Sequence, residues 1–575
     1  MSEIVLHLAS DRASFAAMLD HVNTTSRRES WALGLLMFLL GGCGLAYEYT
    51  LSKIASDLLG NSVQQWATMI ATMLFAMGLG AEVQKHTPTS LLADRLISTQ
   101  VLLAVLGGFG PLIMIHGFAL LPQIYIVIQY GLAFTVGILI GYEIPLVMRI
   151  NEETEPEMRF NLAQVLKMDY VGALAGALLW TFLLIRYLSI DRISFIVGLA
   201  TMASGLLCYF LYRKRLSSPR ARAVEIAVGT ALVTLGLVIG RDLTLKAEQF
   251  LYRDPIVASL TTPYQHIILT ENNRGNLRCY INGHLQFSEA DEHIYHENLV
   301  HPAMHLAARR EKVLILGGGD GLALREVLKY PDVRSVTLVD LDPMMTELAS
   351  TDPNLIRMNG GSMSDPRVIR RAAAGVSPGE PYKQTQGSQY EKFTRTRHET
   401  ATLHVVNLDA AEFVKSVTER YDVIVMDFPD PNSLDLAKLY GRPFYDHLEN
   451  IAQPGAVVVQ QSGSTVQARE AFLCIGRTFQ AAGFDAVPYH DNVPSFGEWG
   501  WWIAVAGGPA AETRARLAGL SELQVPTRYL THELVATSLV FGKSELVTAE
   551  QGFTSLTSPR VYHYYLEGWN TEESP

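Results

Sequence analysis

Lys312-Val313-Leu314-Ile315-Leu316-Gly317-Gly318-Gly319-Asp320-Gly321, followed by Leu322-Ala323-Leu324-Arg325-Glu326, decides how this chain is read. Four apolar residues predict a short buried strand. The glycines let the backbone turn tightly and approach a ligand, and the run after them has the composition of a helix. A second apolar run, Ser335-Val336-Thr337-Leu338-Val339-Asp340, ends in a carboxylate about twenty residues further on, where doubly wound folds set an acid against ribose hydroxyls. The unit is therefore βαβ, with Gly317, Gly318, Gly319, Gly321 and Asp340 as the expected nucleoside site. A glycine-rich turn alone can be a structural loop, but Asp320 inside it points to a ligand. Phosphates gain nothing from an anion there, so the ligand is cationic or uncharged at that point. A sulfonium nucleoside with an amine tail fits.

The αβ pattern resumes downstream. Leu403-His404-Val405-Val406-Asn407-Leu408-Asp409 and Tyr421-Asp422-Val423-Ile424-Val425-Met426-Asp427 both read as strands ending in acids. Open parallel sheets bind ligands at the carboxyl ends of their strands. Four strands should thus deliver Asp320, Asp340, Asp409 and Asp427 to one rim. A single acid there could be a helix cap; four in succession are poorly explained as caps. Asp430 adds a fifth, in a loop stiffened by Pro429 and Pro431. Between these runs, 369–400 lacks sustained periodicity and reads as an exposed insertion.

Upstream the character changes. Seven apolar runs, near 31–50, 62–81, 98–120, 122–147, 169–188, 192–212 and 223–240, approach the roughly 20 residues needed to cross a bilayer. The first 28 residues show no long apolar core and read as a short surface helix. Basic residues, among them Arg27, Arg28, Lys85, Arg95, Arg149, Arg159 and the Arg213–Arg222 cluster, fall on one side of seven spans. The positive-inside rule then makes the amino terminus cytoplasmic and the carboxy-terminal domain external. An inner-membrane, multi-pass protein is expected. The side of its globular part stays open, because the chemistry argued below uses substrates made in the cytosol. Glu48 and Glu143 sit within or at the ends of spans, where a carboxylate needs a partner. Both are expected to sit near the interface or to pair with Lys53 and Arg149; a cation path or binding site between helices is the alternative.

The net charge of −11 argues against nucleic acid and suits a cationic substrate. Four cysteines form no metal or disulfide pattern. After Arg253, two β-rich runs and an Asn282-Gly283 turn predict a small antiparallel sheet, and the segment from Asp291 to Glu297 opens a helix. His293, Glu297 and His301 have helical spacing, but no further ligand completes a conventional set, and no metal is expected. The organisation expected is a surface segment over 1–30, transmembrane helices over 31–241, a small β-domain with its linker over 242–302, and a Rossmann-like domain over 303–575 with an insertion near 369–400.

Together, Tyr264-Gln265, Gln286, Asp291-Glu292, Tyr295-His296-Glu297, the Gly-Gly-Gly-Asp-Gly turn, Asp340, Asp409 and Asp427-x-x-Asp430-Pro431 resemble the spermidine synthase (polyamine aminopropyltransferase) family, and the apolar half resembles its membrane-fused branch. The resemblance implies a methyltransferase-type Rossmann-like fold with a small β-domain. The implied reaction moves aminopropyl from decarboxylated S-adenosylmethionine, a co-substrate rather than a bound cofactor, to a putrescine-like amine, and family members usually pair as homodimers. It further implies Asp340 on ribose and Asp409 on adenine, Asp320 and Asp430 on the aminopropyl ammonium, Gln265, Gln286, Tyr295 and His296 along the cleft, and Asp427 orienting and deprotonating the acceptor.

The residues support this independently. An alkylammonium must lose a proton before it attacks carbon, and an adjacent carboxylate can take it. A substrate carboxylate about 4 Å from Asp320 would be repelled by roughly 4 kcal/mol at a dielectric of 20. That is on the order of a thousandfold in affinity, which disfavours a methyltransferase using S-adenosylmethionine. Phe428 and Pro429 replace the small hydroxyl residues usual between the two acids. Val493-Pro494-Ser495-Phe496-Gly497-Glu498 is shorter than the family's late motif, so Phe496 and Glu498 are the expected far wall of the acceptor pocket. A polyamine transporter or sensor that binds without turnover is the competing reading.

Overall fold

The computed structural model describes residues 32–59, 62–152, 158–363, 369–372, 392–395 and 399–570. The expected surface helix over the first 28 residues lies outside them. The described residues form two compact units that divide after Arg253.

The first unit contains seven long apolar helices: α1 (Ala32–Leu59), α2 (Ser62–Val83), α3 (Leu92–Leu120), α4 (Tyr125–Asn151), α5 (Met158–Leu179), α6 (Ile190–Tyr212) and α7 (Pro219–Gln249). The stretch from Arg241, expected as a connector, instead continues α7 through Gln249. Its Leu, Lys, Ala, Glu and Gln residues are good helix formers and nothing in it breaks the helix. Small residues set how closely these helices pack. A Cβ on Gly141 of α4 would lie 2.0 Å from the Met77 carbonyl of α2, and one on Gly172 of α5 would lie 2.0 Å from the Phe38 carbonyl of α1.

Neither expected carboxylate pairing forms. Lys53 bonds Asp57, one helical turn along its own face, and not Glu48, five residues back. Arg149 donates to the Gln84 and Thr87 carbonyls (3.2 and 2.9 Å) in the turn that follows α2. Glu143, 2% exposed, accepts from Gln100, which in turn accepts from Ser204. The outward faces are apolar: Phe75, Val127, Phe182 and Val238 are all exposed.

In the second unit β1 (Ile256–Thr261), β2 (His266–Glu271), β3 (Leu277–Ile281) and β4 (His284–Ser288) form an antiparallel sheet in that order. Asn282 and Gly283 turn β3 into β4 with φ of 50° and 84°, the left-handed pair that a two-residue hairpin needs. A second sheet takes β5 (Lys312–Gly317), β6 (Ser335–Asp340), β7 (Ile369–Ala372), β8 (Lys392–Arg395), β9 (Glu399–Asn407), β10 (Tyr421–Asp427), β11 (Ala452–Ser464), β12 (Val487–Val493) and β13 (Gly497–Val505). Its order is β12-β13-β11-β10-β5-β6-β9-β7, with β8 beside β9. β11, β10, β5, β6, β9 and β7 run parallel.

Both faces of this sheet are covered, which explains the unbroken apolar runs. Val313 and Ile315 enter one core and Leu314 and Leu316 the other. The chain passes from β5 through β6 to β9 on one side and then crosses to β10 and β11 on the other. The order therefore reverses between β5 and β10, and a crevice opens at their carboxyl ends. The insertion at 369–400, expected to be irregular, contains β7 and β8 pairing with β9. Backbone hydrogen bonds suffice for such short pairings, so they leave no side-chain period to read.

Gly141→Leu should lower the melting temperature of the detergent-solubilised protein, by a destabilisation of about 1–3 kcal/mol or more from forced overpacking. Gly78→Leu, where a Cβ meets nothing within 4 Å, should leave it unchanged. Equal melting of the two variants would contradict the helix contact.

Candidate functional site

The glycine turn brings β5 against the end of β10. Gly317 and Gly318 have φ of 83° and 63°, and a Cβ on Gly317 would lie 2.0 Å from the Asp427 carbonyl oxygen. Gly318 N–H donates to that oxygen at 3.2 Å. Only glycine permits both the left-handed backbone and the close approach. Gly321, at φ 80°, opens α9 (Leu322–Val327), whose Leu322 N–H donates to Asp320 Oδ1 at 2.8 Å. The Asp340 carboxylate accepts from Gly319 N–H (3.0 Å) and Asp342 N–H (2.9 Å), so the turn and the acid meet directly.

One wall of the crevice is α8 (Glu292–Leu306). Tyr295 OH donates to Asp427 Oδ1 at 2.7 Å, and His296 Nε2 lies 3.9 Å from Asp427 Oδ2. On its other side the His296 ring meets the Glu292 carboxylate at 3.0 Å. Glu292 also receives two bonds of 2.9 Å from the Arg325 guanidinium of α9. Asp430 accepts from Gln461 Nε2 at 3.3 Å and from Tyr565 of the helix Arg560–Asn570.

Burial dominates the electrostatics of these acids. It pushes Asp340 up to about 7 and Asp430 to about 6. Asp320 rises to about 6 and Asp427 also rises, with His296 opposing both. Burial works against charge on His296 too, yet the Glu292 hydrogen bond and the surrounding carboxylates outweigh it and lift the ring to about 9. Glu292, despite burial, is held down to about 2 by His296 and Arg325. Several carboxyls raised together beside one fixed cation make a pocket selective for further cations and able to accept a proton.

The remaining expected residues divide. Phe496 packs edge-on to Tyr295 with ring centroids 6.2 Å apart, so it belongs to the cleft. Gln265 sends its side chain to Asp342, which Thr262 Oγ1 also reaches at 2.9 Å; it supports the loop beside Asp340. Gln286 turns its amide to the His284 carbonyl of its own strand, at 3.2 Å, because β4 alternates it toward the outer face. Glu498, expected at the far wall of the acceptor pocket, bonds His490 across the β12–β13 pair instead. Asp409 divides its oxygens between capping Ala411 N–H (2.8 Å) and binding Lys438 Nζ (2.7 Å). His293, Glu297 and His301 do not converge on a common point. Glu297 accepts from the backbone of Arg528, Tyr529 and Leu530, and His301 contacts Tyr330 and Glu326 at 2.9 Å each.

Arg325, Asp342 and Tyr565 were not singled out from sequence. Arg325 and Glu292 carry opposite charge on adjoining helices, but 33 residues separate them and no spacing rule spans that gap. Tyr565 lies on an amphipathic helix whose aromatic stripe predicts burial and nothing about its neighbour.

Residues 292–377 and 389–515 match the spermine/spermidine synthase domain family. The chain is 35% identical over 544 residues to polyamine aminopropyltransferase 2 of Ralstonia nicotianae, covering 94% of this chain and 98% of the relative. It is 35% identical over 572 residues to polyamine aminopropyltransferase 1 of Streptomyces coelicolor, covering 97% and 98%. The solved spermidine synthase of Thermotoga maritima aligns with 51% of this chain and 87% of its own, at 23% identity and a TM-score of 0.40.

The raised acids carry a stability signature. Asp430 titrates near 6 when folded, against 3.8 as an ordinary side chain, so its ionisation opposes folding. The penalty is complete at pH 8 and fades as the pH falls through 6. Asp430→Asn should therefore raise the melting temperature of the unliganded protein more at pH 8 than at pH 5.5; a constant difference across that range would contradict the burial argument.

Proposed function

We propose that this chain, which belongs to the polyamine aminopropyltransferase family, moves the aminopropyl group of decarboxylated S-adenosylmethionine onto a putrescine-like amine, from a catalytic unit anchored in the cell inner membrane. The observation that carries the reading is the meeting of Asp320, Asp427 and His296 at the switch point, with Asp340 on the adjoining strand.

In this reading Asp340, held by Gly319 N–H, accepts the ribose hydroxyls, and the glycine turn lies along the nucleoside. Asp320 takes the aminopropyl ammonium, which fixes the carbon next to the sulfonium. Asp430 joins Asp320 on that ammonium. The amine that attacks must be neutral. Because Tyr295 occupies Asp427 Oδ1, Oδ2 is left to receive its proton. Nitrogen then bonds the carbon in line as the carbon–sulfur bond breaks; its electron pair returns to sulfur, giving methylthioadenosine and a lengthened polyamine. Most of the acceleration comes from holding two cationic reactants in contact, which in water would repel. Phe428, Phe496 and Tyr295 offer apolar surface to the methylene chain of the acceptor.

The seven helices support anchoring by their length and by apolar faces that a bilayer would cover. Loop charge favours a cytoplasmic amino terminus and, after seven crossings, a catalytic unit outside, whereas a co-substrate made in the cytosol favours the inside, and labelling decides between them. All four cysteines are buried, so a reporter must be introduced. Leu556→Cys, at a position 78% exposed, should react with a membrane-impermeant maleimide in intact spheroplasts. Protection until lysis would place the unit with the cytosolic pool of co-substrate and reverse the orientation.

Purified protein in nanodiscs, given decarboxylated S-adenosylmethionine and a panel of diamines and polyamines, should release methylthioadenosine. Asp427→Asn should lower kcat by about a hundredfold or more while methylthioadenosine still binds. Full activity in that variant would remove Asp427 as the proton acceptor, and binding without release by the wild type would favour a sensor.

The acid limb of kcat/KM should fall near pH 6, where Asp320 and Asp430 take up protons, rather than near 4. A limb at ordinary carboxylate values would mean that neither acid needs its charge.

A further inference from the structure

Both nitrogens of His296 face acceptors. Nδ1 lies 2.8 Å from the Glu292 carbonyl oxygen and 3.0 Å from its carboxylate, and so must carry a hydrogen. Nε2 faces Asp427 Oδ2 at 3.9 Å, within reach through one water. Asp320 is the other charged group acting on the ring from the glycine turn, and all of these neighbours are anions. Behind them the Arg325 guanidinium grips Glu292 with two bonds of 2.9 Å and bonds the Met358 carbonyl at 2.5 Å. Glu292 is 2% exposed and His296 3%. Neither Glu292 nor Arg325 is placed in the cleft by these bonds.

We infer that Glu292 and Arg325 are positioning residues for aminopropyl transfer: locked together behind the cleft wall, they hold His296 as a cation aimed between Asp427 and Asp320. This rests on the reading of the site as an aminopropyltransferase centre. The ring titrates near 9, so it stays charged through neutral pH. As a fixed cation it eases ionisation of two buried carboxylates that burial alone would keep protonated. As a charged group it cannot itself take the proton of the amine, which leaves that role to Asp427. It also disfavours a second ammonium at the attacking position, so the nitrogen lodged there is the neutral one.

The test is the pH dependence of kcat/KM for wild type, Glu292→Gln, His296→Gln and the double variant. Glu292→Gln should move the acid limb upward by about one pH unit, because His296 then loses its charge and both Asp320 and Asp427 lose a cationic neighbour. Activity should drop about twofold at pH 7 and about tenfold at pH 5, and recover toward wild type at higher pH, with Glu292→Asp recovering part of the loss. In the His296→Gln background, Glu292→Gln should have little further effect, since it acts through the ring. A loss independent of pH, or losses that multiply in the double variant, would overturn the inference and leave Glu292 a purely structural residue. If Glu292→Gln does not fold, His296→Gln alone must show the same displacement, and an unmoved limb overturns the proposal equally. If the wild type releases no methylthioadenosine with any amine, the enzyme reading falls. The histidine Cε1–H resonance lost in His296→Gln then decides the charge: it should stay at its protonated position up to pH 8 in the wild type, and titration near 6.5 would refute the arrangement.

Discussion

The contact of Gly317 with the Asp427 carbonyl is the constraint on which the rest of the catalytic unit depends. A Cβ at that position would lie 2.0 Å from the oxygen, so the carboxyl ends of β5 and β10 can meet only if residue 317 is glycine. Their meeting defines the reversal in strand order, and the reversal opens the crevice. Asp320 leaves the turn on one side, Asp340 ends the adjoining strand, and Asp427 ends the strand opposite. Three carboxylates from distant parts of the chain thereby share one low-dielectric site.

That gathering is unfavourable in the empty protein, where burial raises Asp320, Asp340, Asp427 and Asp430 together. The protein opposes the strain with hydrogen bonds rather than with lysines. Asp340 has two backbone N–H donors, Asp427 has Tyr295, and Asp430 has Gln461. Among the described residues, the cation that faces the cluster directly is His296, tied back to Glu292. A lysine reaching into the cleft would fill the place of the substrate ammonium. A ring held against its own helix supplies charge without occupying that space.

The helical unit meets the same physics with a different solution. Glu143 is buried and accepts from the neutral amide of Gln100, which in turn accepts from Ser204. Close helix approach at Gly141 and Gly172 shows that small residues set the packing of that unit. Its exposed apolar side chains and its buried polar chain invert the pattern of the catalytic unit.

Much of this was legible in the amino-acid order. The seven apolar helices, the Asn282-Gly283 hairpin, the glycine turn and the strands ending in Asp340 and Asp427 are local features, because period, chain length and turn chemistry act over a few neighbours. The short pairings of β7 and β8 were not legible, since backbone bonds formed them without a side-chain pattern. Nor were the partners of individual polar groups. Glu498 turned to His490 and Asp409 to Lys438, while Arg325 reached Glu292 and Tyr565 reached Asp430. The sequence by itself determined which elements form and which acids end them, because those follow from contacts between near neighbours in the chain. Only the tertiary structure decided which of those acids face one another and which cation balances them, because charge interactions depend on distance and burial, which the order of residues does not contain.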